Sequence, residues 1–312
     1  LSRVAVKICG VTEPAGAALA AALGADFLGL NFWPGSPRHL DLARARDVAA
    51  AARAAAPGVL LVGVFVNPSA AEIEAAAVAA GLDLVQLSGD ETPAAVRALP
   101  YRTIKTLRLS AAVAAAAIAG LPPAAAAPQP PILAAAARSG GAMRRDSAAG
   151  STGWEMLVAG FEECWGLLFD TPRDLQPPRH RPPLGGTPAV AGAAPGHHGT
   201  GPGSVHGAAG PGREHGGAGP DDGGARRAAD YGGTGRAWNH GALAPLLAAL
   251  AGRRVFVAGG LGPGNARQVI ARLQPFAIDV CSGVESAPGR QDPRLLRQLF
   301  EEVGDGQVTS AT

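Results

Sequence analysis

At 312 residues the chain is long enough to bury one barrel-sized core or two smaller ones. Its formal net charge is only +2, 17% of its residues are charged, and no basic stripe is interleaved with aromatics, which excludes the usual footprint of a nucleic-acid binder. Three cysteines, Cys9, Cys164 and Cys281, are too few and too far apart for a disulfide framework and fit a reducing cytoplasm.

The chain enters a strand almost at once, with no charged stretch followed by an apolar one, so neither a signal peptide nor a membrane partner is expected. The Ala-rich run over 111–119 is far too short to span a bilayer. A cytoplasmic location is the expectation. The 44 glycines and 27 prolines are unevenly spread: residues 176–229 hold a dense share of both, together with five of the seven histidines. That stretch has almost no Ile, Leu, Phe or Val, too little apolar surface to offset chain entropy.

In chain order, Val4–Gly10 opens with an apolar, β-branched strand that places Lys7 and Cys9 on one side, and Gly10 permits a sharp turn after the thiol. Ala-rich residues 12–23 read as a helix, and Phe27–Phe32 as a second strand. A turn shaped by Pro34, Gly35 and Pro37 leads to Arg38. Leu42–Ala55 reads as a helix and Leu60–Val66 as a third strand, after which Ser69 is the expected N-cap of the next helix. Leu84–Ser88 is a fourth strand, followed by Gly89-Asp90-Glu91 and a further helix, and Arg102–Leu109 is a fifth.

Regularity fails over 121–153 and returns with a sixth strand, Gly166–Asp170. The Pro/Gly/His-rich stretch follows, then Gly232-Gly233-Thr234-Gly235 and a helix over about 241–251. Arg254–Ala258 and Ala277–Cys281 are the seventh and eighth strands, with helices over 265–273 and 293–303.

Continuous apolar strands alternating with helices specify a parallel sheet covered on its faces. Eight of them predict an α/β fold, a closed (β/α)₈ TIM barrel, as one domain over 1–312 interrupted by low-complexity segments at about 122–155 and 172–229. The second segment forms a long insertion, disordered or artefactual, between strand six and the next helix. A doubly wound open sheet would want a Gly-rich dinucleotide loop after its first strand, and Gly10-Val11-Thr12 is not one.

Barrel active sites gather at the C-terminal strand ends, where this chain places Cys9, Asn31, Gln86, Arg108, Asp170 and Ser282. The loops after strands seven and eight, with Gly259-Gly260 and Ser282-Gly283, can turn backbone N–H groups toward an anion, which points to a phosphorylated small-molecule substrate. Asp170 ends an otherwise apolar strand, a costly place for a carboxylate without a task or a partner. Set across the mouth from Cys9, it would pair an acid with a base, as an isomerisation requires. Arg38, on its rigid turn, could clamp a carboxylate. The histidines of the middle segment have irregular spacing and no accompanying Cys or carboxylate pattern, so no metal is expected.

These motifs, together with Gly29-Leu30-Asn31-Phe32, Gly63-Val64-Phe65-Val66-Asn67, Val85-Gln86-Leu87 and Ser282-Gly283-Val284-Glu285, resemble in type and order those of phosphoribosylanthranilate isomerases. The resemblance covers residues 4–110 and about 231–303 well, and the middle only at 166–171. It implies a cofactor-free Amadori rearrangement in tryptophan biosynthesis, by a monomer or homodimer. Cys9 would be the general base and Asp170 the general acid. Lys7, Arg38 and Gln86 would bind substrate, with Arg38 on the anthranilate carboxylate, and Gly259, Gly260, Ser282 and Gly283 would hold the phosphate. It also implies a Cys9 thiol of depressed pKa, helped by Lys7.

Two departures stand out. Ser88 occupies a place where the family often has His, and the distance from Asp170 to Gly232 far exceeds the family's usual handful of residues. A genuine insertion or a frame-shifted stretch of a GC-rich gene would each produce this, and the composition of 172–229 favours the second. Alternative functions are a related histidine-pathway phosphosugar isomerase, which would want an aspartate where Cys9 stands, and a degenerate non-catalytic barrel.

Overall fold

A computed structural model describes residues 3–109, 158–170 and 243–308. The low-complexity segments, and with them the Gly232–Gly235 loop, lie outside the described residues. Eight parallel strands close a barrel in sequential order: β1 (Ala5–Cys9), β2 (Phe27–Asn31), β3 (Leu60–Phe65), β4 (Leu84–Leu87), β5 (Thr103–Arg108), β6 (Gly166–Asp170), β7 (Val255–Ala258) and β8 (Ala277–Val280). Closure comes from β1 pairing β8, with Ala5 opposite Ala277 and Ile8 opposite Val280. The predicted (β/α)₈ barrel is therefore present, each strand within a residue or two of its expected bounds.

Among the described residues the helices are α1 (Pro14–Ala22), α2 (Leu42–Ala55), α3 (Ala70–Ala80), α4 (Pro93–Arg97), α5 (Ala244–Ala249), α6 (Ala266–Leu273) and α7 (Pro293–Val308). None is long and apolar enough to cross a membrane. Their starts follow local chemistry. Asp41 caps α2 by accepting from the Arg44 N–H at 2.7 Å. Ser69 and Glu72 form a reciprocal capping box on α3, and Thr92 caps α4 with Pro93 in the first turn, where its missing N–H is harmless.

Alternation along the strands divides the apolar residues into two cores. Outward side chains such as Ile8, Leu28, Leu61 and Phe169 pack under the helices. Inward side chains such as Phe27, Leu84, Ile104, Leu168 and Phe256 fill the barrel. At the N-terminal end of the interior, Phe27, Trp165, Phe256 and Phe276 meet edge to face or tilted with centroids 5.4–6.4 Å apart. The Arg254 guanidinium lies 4.8 Å from the centre of the Trp165 ring. This aromatic plug closes one end and leaves the C-terminal end open for polar groups.

Candidate active site

The barrel mouth holds a cleft of about 920 Å³, continuous with solvent, whose walls include Cys9, Arg38, Gln86 and Asp170. Cys9 ends β1 and Asp170 ends β6, three strands apart around the barrel by way of β8 and β7. Pairing of β6 with β5 (Arg108 opposite Asp170) and with β7 (Phe169 opposite Val257) fixes the Asp170 side chain inward. The cleft thus has the thiol on one wall and the carboxyl group on another, as the strand-end pattern predicts.

Beneath the thiol, Lys7 is fully buried and its Nζ donates to Asp279 Oδ1 at 2.8 Å. The two strands place them in register, Lys7 directly opposite Asp279. A buried ammonium survives only with such a partner, and the pair holds the Lys7 pKa above the ordinary lysine value against the opposing cost of burial. Lys7, expected to bind substrate, is therefore set one layer below the cleft and acts on it through the field it exerts on Cys9.

The expected depressed thiol pKa is not what the surroundings impose. Burial pushes the Cys9 thiol up, the Lys7 ammonium pulls it down, and the Asp279 carboxylate raises it again. Because Asp279 neutralises Lys7, the lysine offsets desolvation only in part. Gly29, opposite Cys9 in the β1–β2 register, gives the sulfur its room: a β-carbon there would lie 2.7 Å from Sγ.

Arg38 stands on a loop organised by Asn31. The Asn31 side chain accepts from the Trp33 N–H at 2.9 Å and donates to Ser36 Oγ, which in turn accepts from the Arg38 N–H, both at 3.1 Å. The guanidinium makes a two-pronged ion pair with Glu285, Nε to Oε1 at 2.7 Å and Nη2 to Oε2 at 2.6 Å. That pairing raises the Arg38 pKa further and aims the fork before any ligand arrives. The Nη1 hydrogens are not used by it, so a substrate carboxylate would meet an oriented edge rather than a free fork.

On the opposite wall Gln86 Nε2 donates to Ser88 Oγ at 3.1 Å and to Thr106 Oγ1 at 3.3 Å, and the two hydroxyls lie 2.9 Å apart. Gln86 Oε1 is buried and has no hydrogen-bond partner. An orphaned acceptor in a polar wall is a group waiting for an O–H or N–H donor. Arg108, between this cluster and Asp170, donates to the Ser88 carbonyl. Outside the barrel the buried Lys105 Nζ holds the same loop, at 2.8 Å from the Gly89 carbonyl and 2.6 Å from Glu91 Oε2.

The loops after β7 and β8 lie back to back. Gly259 and Gly260 have φ of 99° and 64°, the left-handed region that other residues rarely adopt. A β-carbon on Gly283 would collide with the Leu261 carbonyl, so only glycine lets the two backbones touch. Gly259, Gly260 and Ser282 line the cleft. Sequence reasoning singled out these loops, Cys9 and Asp170, all of which line the cleft, but gave no role to Asp279 or Glu285. Asp279, a carboxylate inside an apolar strand, carried the same signal that singled out Asp170.

Comparison with known proteins agrees with this geometry. The sequence model described as N-(5'-phosphoribosyl)anthranilate isomerase matches residues 6–122 and 228–302. This chain belongs to that family. The isomerase of that name from Myxococcus xanthus is 31% identical over 296 residues, which covers 94% of this chain and 93% of the relative. The crystal structure of phosphoribosyl anthranilate isomerase from Thermus thermophilus superposes with a TM-score of 0.57 at 27% identity, covering 97% of this chain and 99% of that one. A family structure in complex with reduced 1-(o-carboxyphenylamino)-1-deoxyribulose 5-phosphate shares the fold, with a TM-score of 0.55 at 21% identity and coverage of 97% and 99%. The family match omits residues 123–227, and β6 with them. Strand pairing, not the sequence match, is what brings Asp170 to the mouth.

Proposed function

We propose that Cys9 is the general base and Asp170 the general acid of an aldose–ketose isomerisation carried out in the barrel mouth. As a member of its family the chain converts N-(5'-phosphoribosyl)anthranilate to 1-(2-carboxyphenylamino)-1-deoxyribulose 5-phosphate by an Amadori rearrangement, in tryptophan biosynthesis. The observation that carries the role assignment is the placement of a thiol and a carboxyl group at the C-terminal ends of β1 and β6, on separate walls of one cleft.

In this reading Asp170 protonates the ribose ring oxygen, and the ring opens to a protonated Schiff base. The positive imine makes the neighbouring C2 proton acidic. Cys9, as thiolate, removes it to give the enolamine, which tautomerises to the ketose. A thiol raised by burial gives less thiolate at neutral pH, but each thiolate is the stronger base. Lys7 limits that rise without touching the substrate. Arg38 Nη1 faces the anthranilate carboxylate, Gln86 Oε1 accepts from a substrate O–H or N–H, and the N–H groups of Gly259, Gly260, Ser282 and Gly283 hold the phosphate. Proton transfers of this kind need no cofactor.

The test follows the loss of anthranilate fluorescence as purified protein consumes the substrate. Cys9→Ala and Asp170→Asn should each abolish most turnover while the barrel still unfolds cooperatively. Full activity in either folded variant would overturn that residue's role.

A further inference from the structure

Cys281 has no part in the chemistry above, yet it stands beside the base at the end of the neighbouring strand. Strands β1 and β8 are hydrogen-bonded neighbours with Ile8 opposite Val280, so Cys9 and Cys281 are the next residues on each. Neighbouring strands lie about 4.7–4.9 Å apart, inside the roughly 4.4–6.8 Å between α-carbons that a disulfide spans. Both side chains face the cleft. The Cys281 sulfur lies against the backbone immediately after Cys9, only 3.2 Å from where a β-carbon on Gly10 would sit. Both thiols are free and only partly covered, whereas Cys164 is buried away from the cleft.

We propose that Cys9 and Cys281 form a reversible disulfide when the protein meets a hydroperoxide, and that this modification switches off the isomerase by removing its base. The chemistry balances in two steps. The Cys9 thiolate attacks hydrogen peroxide, breaking the O–O bond, to give Cys9 sulfenic acid and hydroxide. The Cys281 thiol then attacks that sulfur; the S–S bond forms, the S–O bond breaks, and water leaves with the Cys281 proton. The assignment of roles follows the charges nearby. Lys7 attracts a thiolate at Cys9, while burial and the negative charges of Cys9 and Glu285 push the Cys281 thiol well above its ordinary pKa. Cys9 is thus the sulfur that reacts first and Cys281 the one that resolves it, with Glu285 Oε1 at 4.0 Å from Cys281 Sγ to relay its proton to the departing hydroxide.

The switching consequence rests on Cys9 as base, but the linkage is read independently of activity. Full-length protein is treated with a modest excess of hydrogen peroxide, the remaining thiols are alkylated, and the peptides are examined by mass spectrometry without reduction. The expected result is loss of two alkylatable thiols of three, a peptide pair joined through Cys9 and Cys281, inactivation in step with it, and recovery on adding dithiothreitol. Cys281→Ser, which lacks the resolving thiol, should form no linked pair and should instead carry added oxygen at Cys9, with the share driven on to sulfinic or sulfonic acid failing to recover in dithiothreitol; Cys164→Ser should behave as the parent. Absence of the linked pair in the parent, or a linked pair joining Cys164 instead, overturns the proposal. A linked pair in a protein with no isomerase activity would uphold the modification and count against the role of Cys9.

Discussion

The two ends of the barrel interior are built from the same strands, yet they do opposite work. At the N-terminal end Phe27, Trp165, Phe256 and Phe276 exclude water and carry almost no polar atoms. At the C-terminal end the same alternation presents Cys9, Gln86, Arg108, Asp170 and Asp279, each with a designated partner or an open hydrogen-bonding atom. The floor can be reshaped at the expense of stability alone, whereas the mouth holds charges whose loss strikes turnover first.

The strongest way to break the comparison is at the mouth. Cys9→Ala and Asp170→Asn should each lower kcat by roughly 10²–10⁴, the usual worth of a general base or acid, with stability changed by no more than about 1 kcal/mol. Fluorescence kinetics and urea unfolding on the same samples check both halves.

Lys7→Met tests the layer between mouth and floor, and should affect both readouts. Stranding Asp279 without its ammonium should cost about 3–5 kcal/mol, and Lys7→Met/Asp279→Leu together should recover much of it without restoring activity. The pH dependence sharpens the point. Cys9 works deprotonated and its pKa is raised, so kcat/KM should climb through and beyond the ordinary thiol range of about 8.5. Lys7 has a folded pKa above its unfolded one, so its pairing is fully present below the ordinary lysine pKa and is lost only as pH passes the raised value. The alkaline limb therefore reports Cys9, and Lys7→Met should move it to still higher pH in a pH–rate profile.

At the floor, Phe256→Ala should destabilise by about 3–5 kcal/mol through the cavity it leaves, while the folded protein keeps the kcat and KM of the parent. A large fall in kcat with little loss of stability would erase the distinction between the two ends. Smallest of all, Ser69→Ala on the outer layer removes one half of the α3 capping box. It should cost about 1 kcal/mol in thermal unfolding and leave kinetics untouched.

Most of the barrel was legible in the sequence because its strands are local apolar runs with polar ends, and each signal lies within one short segment. Ser69 as an N-cap and the tight backbone at Gly259-Gly260 and Gly283 were readable for the same reason. What was not legible depends on residues far apart. The pairing of Lys7 with Asp279 spans 272 positions and that of Arg38 with Glu285 spans 247. No spacing rule reaches so far. The Cys9 pKa was misjudged for this reason: Lys7 two residues away suggested a depressed thiol, but burial and the neutralising Asp279 arrive from the rest of the fold. The shape of 122–155 and 172–229 lies outside the described residues.

The seam between β1 and β8 also sets when the site can come into being. Cys9 leaves a ribosome about 270 residues ahead of Asp279, Cys281 and Glu285, which set its charge surroundings. Closing that seam joins strands 272 positions apart at Lys7 and Asp279, a slow kind of contact to form. A chain released before β8 can have its thiol and its ammonium but not the carboxylate between which the lysine is balanced. Catalytic surroundings here are a property of the closed ring, acquired in its final step.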